Sequence, residues 1–375
     1  MKYLGVVALL RAVAPAKART GRALSLILGI CGMALWTGCG QVAPGTIITV
    51  AGTGIQGYTG NGAAANLAEL DGPTRVAVDS ARNIYIADTA NHVIRMVTFS
   101  TGIINVLAGT QTAGYSGDGG AATSAELNFP RGLAVDSLGD VFVADTGNNV
   151  IREVSASTSV ITTIAGTGSP GYSGDGLQAT QATLSGPQGL TLDSAGSLYI
   201  ADTGNNVIRK LNLASGIITT VAGTGTLGSG GDGGPATAAR LFTPQDVAVD
   251  ASGNLYIADT GNSSIRKVSS SSGAISVLAS NQTFTGHNLA NPTSVALDSS
   301  GTLYIADTGN NVIRRLNLSN GAIVTVAGTG YTGYGGDNGP ATSAFMDSPS
   351  GVVVNASGVL FLADTGNNVV RMVTF

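Results

Sequence analysis

The sequence predicts an all-β fold: a six-bladed β-propeller of four-stranded antiparallel blades, its ring closed by an N-terminal strand that completes the last blade. Three observations predict it. The segment Leu198-Tyr199-Ile200-Ala201-Asp202-Thr203-Gly204-Asn205-Asn206-Val207-Ile208-Arg209 recurs six times with small changes. Each copy carries short, continuous apolar runs of the kind buried on both faces of a sheet. The two ends of the array are complementary, one lacking a strand that the other has to spare. Composition agrees: 55 glycines in 375 residues, 43% apolar and only 11% charged, suit many short strands joined by tight turns. The same figures argue against a helical bundle or a disordered chain.

The first 38 residues read as a lipoprotein-type signal peptide. Lys2, Arg11, Lys17, Arg19 and Arg22 make a basic start, and Ala23 to Trp36 is an uncharged, mostly apolar run too short for a membrane span. Thr37-Gly38-Cys39-Gly40 follows and resembles the bacterial lipobox, in which the cysteine is lipidated and becomes the new N-terminus; Trp36 departs from that pattern. Lipidation is therefore expected at Cys39, with 39–45 as a short tether and the chain lipid-anchored in the cell envelope; plain secretion is the alternative. Cys31 and Cys39 are the only cysteines, so the remainder holds no disulfide and no cysteine-based zinc site. It carries 13 basic against 22 acidic residues, a net charge of −9, which disfavours sequence-independent nucleic-acid binding.

The array occupies 46–375. Each unit is anchored by a proline (Pro73, Pro130, Pro187, Pro244, Pro292 and Pro349) followed by an apolar run, strand a. A glycine-bearing turn leads to strand b, for example Leu198 to Ala201. Strand c starts at Val207, and strand d is a segment such as Ile217 to Ala222. The aspartates that end strand b are 57, 57, 57, 48 and 57 residues apart, one register throughout. A stack of open repeats is the weaker solution, because four-stranded units of this length form propellers. The last unit stops after strand c, at Phe375, whereas Thr46 to Ala51 is a strand d without a unit. Pairing the two closes the ring and removes two sheet edges.

The pattern Pro-x-Gly-x-x-x-Asp, then Tyr-Ile-Ala-Asp-Thr-Gly-Asn, then Ile-Arg resembles the NHL repeat, and Asn91-His92-Val93 lies where that family takes its name. The resemblance covers 46–375 and implies the propeller. Members serve as protein-binding platforms, RNA binders, kinase sensor domains and occasionally lyases, so it implies no single function.

Two sets of side chains stand out. Asp88, Asp145, Asp202, Asp259, Asp307 and Asp364 are each followed seven residues later by Arg95, Arg152, Arg209, Arg266, Arg314 and Arg371. In a symmetric b–c hairpin the two are diagonal neighbours, so a buried structural pair in every blade is the expected role, rather than a catalytic ring. The second set belongs to long d–a inserts of the Gly-Tyr-Ser-Gly-Asp-Gly type, present in five units and missing in the fifth. Tyr58, Tyr115, Tyr172, Tyr334, Asp118, Asp175, Asp232 and Asp337 are candidates for a ligand-binding face, together with His287 beside the gap left by the missing insert. The tyrosines are expected to staple the inserts to the blade edges, or to offer stacking surfaces.

Catalytic motifs are lacking: no nucleophile elbow, phosphate loop or zincin signature occurs, and two histidines are too few for a three-histidine zinc centre. The balance is against an enzyme, with no metal site or cofactor expected. The reading is a monomeric, membrane-tethered scaffold presenting a Gly/Asp/Tyr-rich face to a protein, peptide or carbohydrate. Its alternative is a calcium-assisted lyase or lactonase with its site over the central channel.

Overall fold

The computed structural model describes residues 45–281 and 288–375; the leader with Cys39, and His287, lie outside the described residues. Six antiparallel sheets are arranged as blades around an axis, each in the order a-b-c-d from the centre outwards. Blade 3 shows how sequence becomes structure. Its strands are Pro187–Leu192, Ser197–Asp202, Val207–Asn212 and Ile217–Ala222. Proline is tolerated because it opens strand a, and Gly196, at φ +79°, makes the turn into strand b. Every residue of strand b is buried. Leu198 and Ile200 pack against Phe142 and Ala144 of blade 2, while Tyr199 and Ala201 pack against Leu255 and Ile257 of blade 4. The two-residue period of a strand thus serves both neighbours at once.

In blade 6 the strands are Pro349–Val354, Leu360–Asp364, Val369–Val373 and, from the other end of the chain, Thr46–Ala51. Ile47 lies opposite Val373 and Thr49 opposite Arg371. Between the last and first blades Ile48, Phe361 and Val370 pack against Val76, Ile86 and Ile104. Each such side chain contributes about 1.5–3 kcal/mol when buried.

Two circuits of hydrogen bonds run round the ring. The threonine after each strand-b aspartate donates to the strand-a proline carbonyl of the next blade, as Thr203 does to Pro244 at 2.7 Å. Thr365 closes that circuit by donating to Pro73 at 2.7 Å. The residue ending each b–c turn is left-handed: His92, Asn149, Asn206, Ser263, Asn311 and Asn368 all have positive φ. Its side chain accepts the N–H of the residue before the next blade's proline, Asn206 from Thr243 at 2.8 Å and His92 Nδ1 from Phe129 at 3.1 Å. Asparagine recurs here because a short polar side chain tolerates this conformation and reaches the neighbour. His92 does the same work in blade 1.

The inserts lie against the blade edges. Each runs down the outer edge of the following blade and adds a short fifth strand or bridge: Ala63–Ala64 on Ile103–Ile104, Gly339–Pro340 on Thr46–Ile47, and Gln178 against Ile217. The reason is the edge itself, since strand d would otherwise present unpaired backbone groups to water.

Candidate functional site

The repeated carboxylates and guanidiniums meet at the outer rim. In blade 3, Asp202 accepts the Ser185 N–H at 2.8 Å, the Asn205 amide at 2.8 Å and Arg209 Nη1 at 3.5 Å. Arg209 Nη2 donates to the insert's Ser173 carbonyl at 3.0 Å and to Asp175 at 2.8 Å, and its guanidinium lies 5.3 Å from the Tyr172 ring centre. The other insert aspartates repeat this: Asp118 to Arg152 at 2.6 Å, Asp232 to Arg266 at 2.7 Å and Asp337 to Arg371 at 2.6 Å. Arg314 in blade 5 pairs with Asp307 at 2.9 Å, and in blade 1 Arg95 pairs with Asp88 at 3.4 Å, with Asn61 standing where the others have aspartate. Asp118, Asp175, Asp232 and Asp337 thus each clamp an insert to a fully buried arginine while part of the carboxylate side chain stays exposed. The tyrosines are half-stapled as well. Tyr115, Tyr172 and Tyr334 share hydrogen bonds with Thr163, Thr220 and Thr49 at 2.9–3.1 Å, and Tyr58 accepts the Asn61 amide at 3.1 Å.

Burial is the largest influence on the strand-b carboxyls. It pushes Asp88, Asp145, Asp202 and Asp364 up to about 6, against the backbone N–H, asparagine amide and arginine that favour the charged form. Each of these carboxylates is held by the buried arginine of its own blade.

The central channel is where the repeat departs from itself. The two residues after each anchoring proline read Thr74-Arg75, Arg131-Gly132, Gln188-Gly189, Gln245-Asp246, Thr293-Ser294 and Ser350-Gly351. Arg75 reaches across the axis from blade 1. It donates to the carbonyls of Thr74, Ser350, Gln245 and Thr293 at 2.5–3.2 Å, so one guanidinium ties four blades together. Its Nε faces Asp246 at 3.8 Å. Asp246 in turn accepts Ser294 Oγ at 2.6 Å and the N–H groups of Val247 and Val295 at 3.0 and 3.1 Å. Glycine at 132, 189 and 351 makes room, since a Cβ at each would overlap a neighbouring strand. Beyond this stopper the channel is aliphatic, lined by Val76, Leu133, Leu190, Val247, Val295 and Val352, and encloses about 250 Å³.

Above the stopper, at the mouth on the insert side, stand Arg131, Gln188 and Gln245, all half-buried. Reading the repeat for its constant positions passes over this group; comparing the copies at their most variable positions would have found it. Among the described residues no three His, Cys, Asp or Glu side chains converge as a metal site would require.

Comparison with known proteins agrees with the fold. Residues 113–173 and 167–230 match the Teneurin NHL domain, and residues 243–268 and 289–316 match the NHL repeat. Teneurin-1 of Mus musculus is 30% identical over 253 residues, covering 59% of this chain and 9% of its own length. NHL repeat-containing protein 2 of Homo sapiens is 27% identical over 190 residues, covering 48% and 26%. The chain thus spans about a quarter of one of these longer relatives and about a tenth of the other. Among solved structures, a protein of unknown function from Bacteroides thetaiotaomicron superposes with a TM-score of 0.64 at 15% identity, over 87% of this chain and 75% of that one. An auxiliary nutrient binding protein from Bacteroides ovatus gives 0.62 at 14% identity, over 87% and 76%. With the six-fold motif, the blade geometry and these matches together, the chain belongs to the NHL-repeat family of six-bladed β-propellers.

Proposed function

We propose that this propeller is an exported binding scaffold, lipid-anchored at Cys39, which holds a protein partner on its insert-bearing side. One observation carries the reading. Of the fifteen large apolar side chains that stand exposed among the described residues, eleven lie on the five long d–a connections. Tyr331 is 72% exposed, Leu67 63%, Ile55 62% and Leu227 59%. Exposed aliphatic and aromatic groups gathered on one set of connections suit a protein surface better than a sugar. Tyr115, Tyr172 and Tyr334 also brace the rim arginines, whereas the side chains of Ile55, Leu67 and Tyr331 simply lie open to solvent.

Replacing Ile55, Leu227 and Tyr331 by glutamate should abolish retention of partners from a native envelope extract, while Leu138→Glu on the opposite side should leave it intact. Equal retention by all variants would end the assignment of the binding side. Anchoring is tested separately by labelling cells with palmitate. The label should appear on the chain and vanish in Cys39→Ser; label that persists would rule out that residue.

A further inference from the structure

We propose that Arg131, Gln188 and Gln245 form a binding site for the carboxylate of a small ligand at the insert-side mouth of the central channel. The three lie at the same position of three successive blades, each directly after its proline. Their backbones are in contact round the axis: the Gly189 N–H donates to the Gln245 carbonyl at 2.9 Å, and a Cβ on Gly132 would overlap the Gln188 carbonyl. In blades 1, 5 and 6 the same position holds Thr74, Thr293 and Ser350, whose hydroxyls share hydrogen bonds with the b–c threonines of their own blades. Only blades 2 to 4 put long side chains there.

None of those three side chains makes a hydrogen bond or ion pair with another described residue. For the glutamines that costs little. A half-buried guanidinium is different, because partial desolvation disfavours its charge unless an anion offsets it. Every arginine of the rim has its carboxylate, and Arg131 has none among the described residues. Asp246, the acidic group of the neighbouring layer, is already engaged by Arg75, Ser294 and two backbone N–H groups. Burial lowers Arg75, Asp246 raises it and Arg131 lowers it, so the two cations act on one another across the stopper. The mouth therefore carries one uncompensated positive charge, with the Gln188 carboxamide on the next blade and that of Gln245 on the blade after it.

That donor set matches a monoanion with a planar fork better than a dianion: the guanidinium can hold both carboxylate oxygens, and the amides can read a neighbouring hydroxyl or peptide group. A sugar acid and the free C-terminus of a peptide share this chemistry. Titration calorimetry on the full-length chain separates them, using glucuronate against glucose, and trialanine against its C-terminal amide. One of the two acids should bind, and its neutral counterpart should bind about tenfold more weakly or worse. Arg131→Gln should remove that difference with no loss of thermal stability. Arg131→Lys should restore part of it, and Gln188→Ala should weaken binding severalfold. Should Arg131→Gln fail to fold, the two glutamine-to-alanine variants carry the test, and unaltered binding in both would overturn the proposal. It is equally overturned if neither acid binds up to about 10 mM, if neutral and acidic forms bind alike, or if inorganic phosphate binds more tightly than either acid.

Discussion

The outer rim and the channel mouth are built from the same residue types and handle them in opposite ways. On the rim, Arg95, Arg152, Arg209, Arg266 and Arg371 are almost completely buried, and each has a carboxylate at 3.2–3.5 Å. At the mouth Arg131 is half-buried and has no carboxylate beside it. The rim arrangement recurs from blade to blade, because every blade must solve the same packing problem. The mouth arrangement occurs once. In a tandem array, repetition marks what the fold needs, and a local break in repetition is where selection for a ligand can act.

The comparison is broken most severely by removing a rim partner. Asp202→Ala leaves Arg209 buried without its inner carboxylate and should cost about 3–5 kcal/mol of unfolding free energy by denaturant titration. A loss below about 1 kcal/mol would mean that the insert carboxylate alone suffices. The pH dependence of the same site is the next effect. Its folded carboxyl is raised to about 6 by burial, so the folded state binds a proton that the unfolded chain, with its ordinary lower value, releases. This contribution is complete below the unfolded value and is lost as pH rises through about 6. The stability difference between wild type and Asp202→Asn should accordingly grow as pH is lowered from neutral towards about 4; a difference that shrinks would show the carboxyl lowered instead.

Smaller effects sharpen the contrast. Asp175 is half-exposed, so Asp175→Ala should cost only about 1 kcal/mol. The reverse change in blade 1, Asn61→Asp, supplies a second, insert-side carboxylate to Arg95 and should raise stability by up to about 1 kcal/mol, read as an increase in Tm. Smallest of all is His92→Asn. Five other blades use Asn or Ser at this position for the same hydrogen bond, and the change should fall within about 0.5 kcal/mol. A larger loss would point to the edge contact between His92 and Phe129, whose ring centres are 4.6 Å apart.

How far each feature could be read from the chain follows the distance over which its cause acts. The aspartate and arginine of a blade are seven residues apart on one hairpin, and hairpin register is a local matter; their pairing was legible. Asp175 and Arg209 are 34 residues apart and meet only because the insert folds back over the next blade's edge. Stapling of the inserts by their tyrosines could be expected from the chain, but the arginine partners of their aspartates could not. Arg75 and Asp246 belong to the first and fourth blades and face one another only once the ring exists.

Strand order, blade number and the complementarity of the two ends were determined by the sequence alone, because they rest on periodicity, turn residues and alternating burial, which act over a few residues. Tertiary structure alone decided which charges are satisfied. Whether an arginine finds a carboxylate depends on which distant segments the closed ring brings together, and at Arg131 it brings none among the described residues.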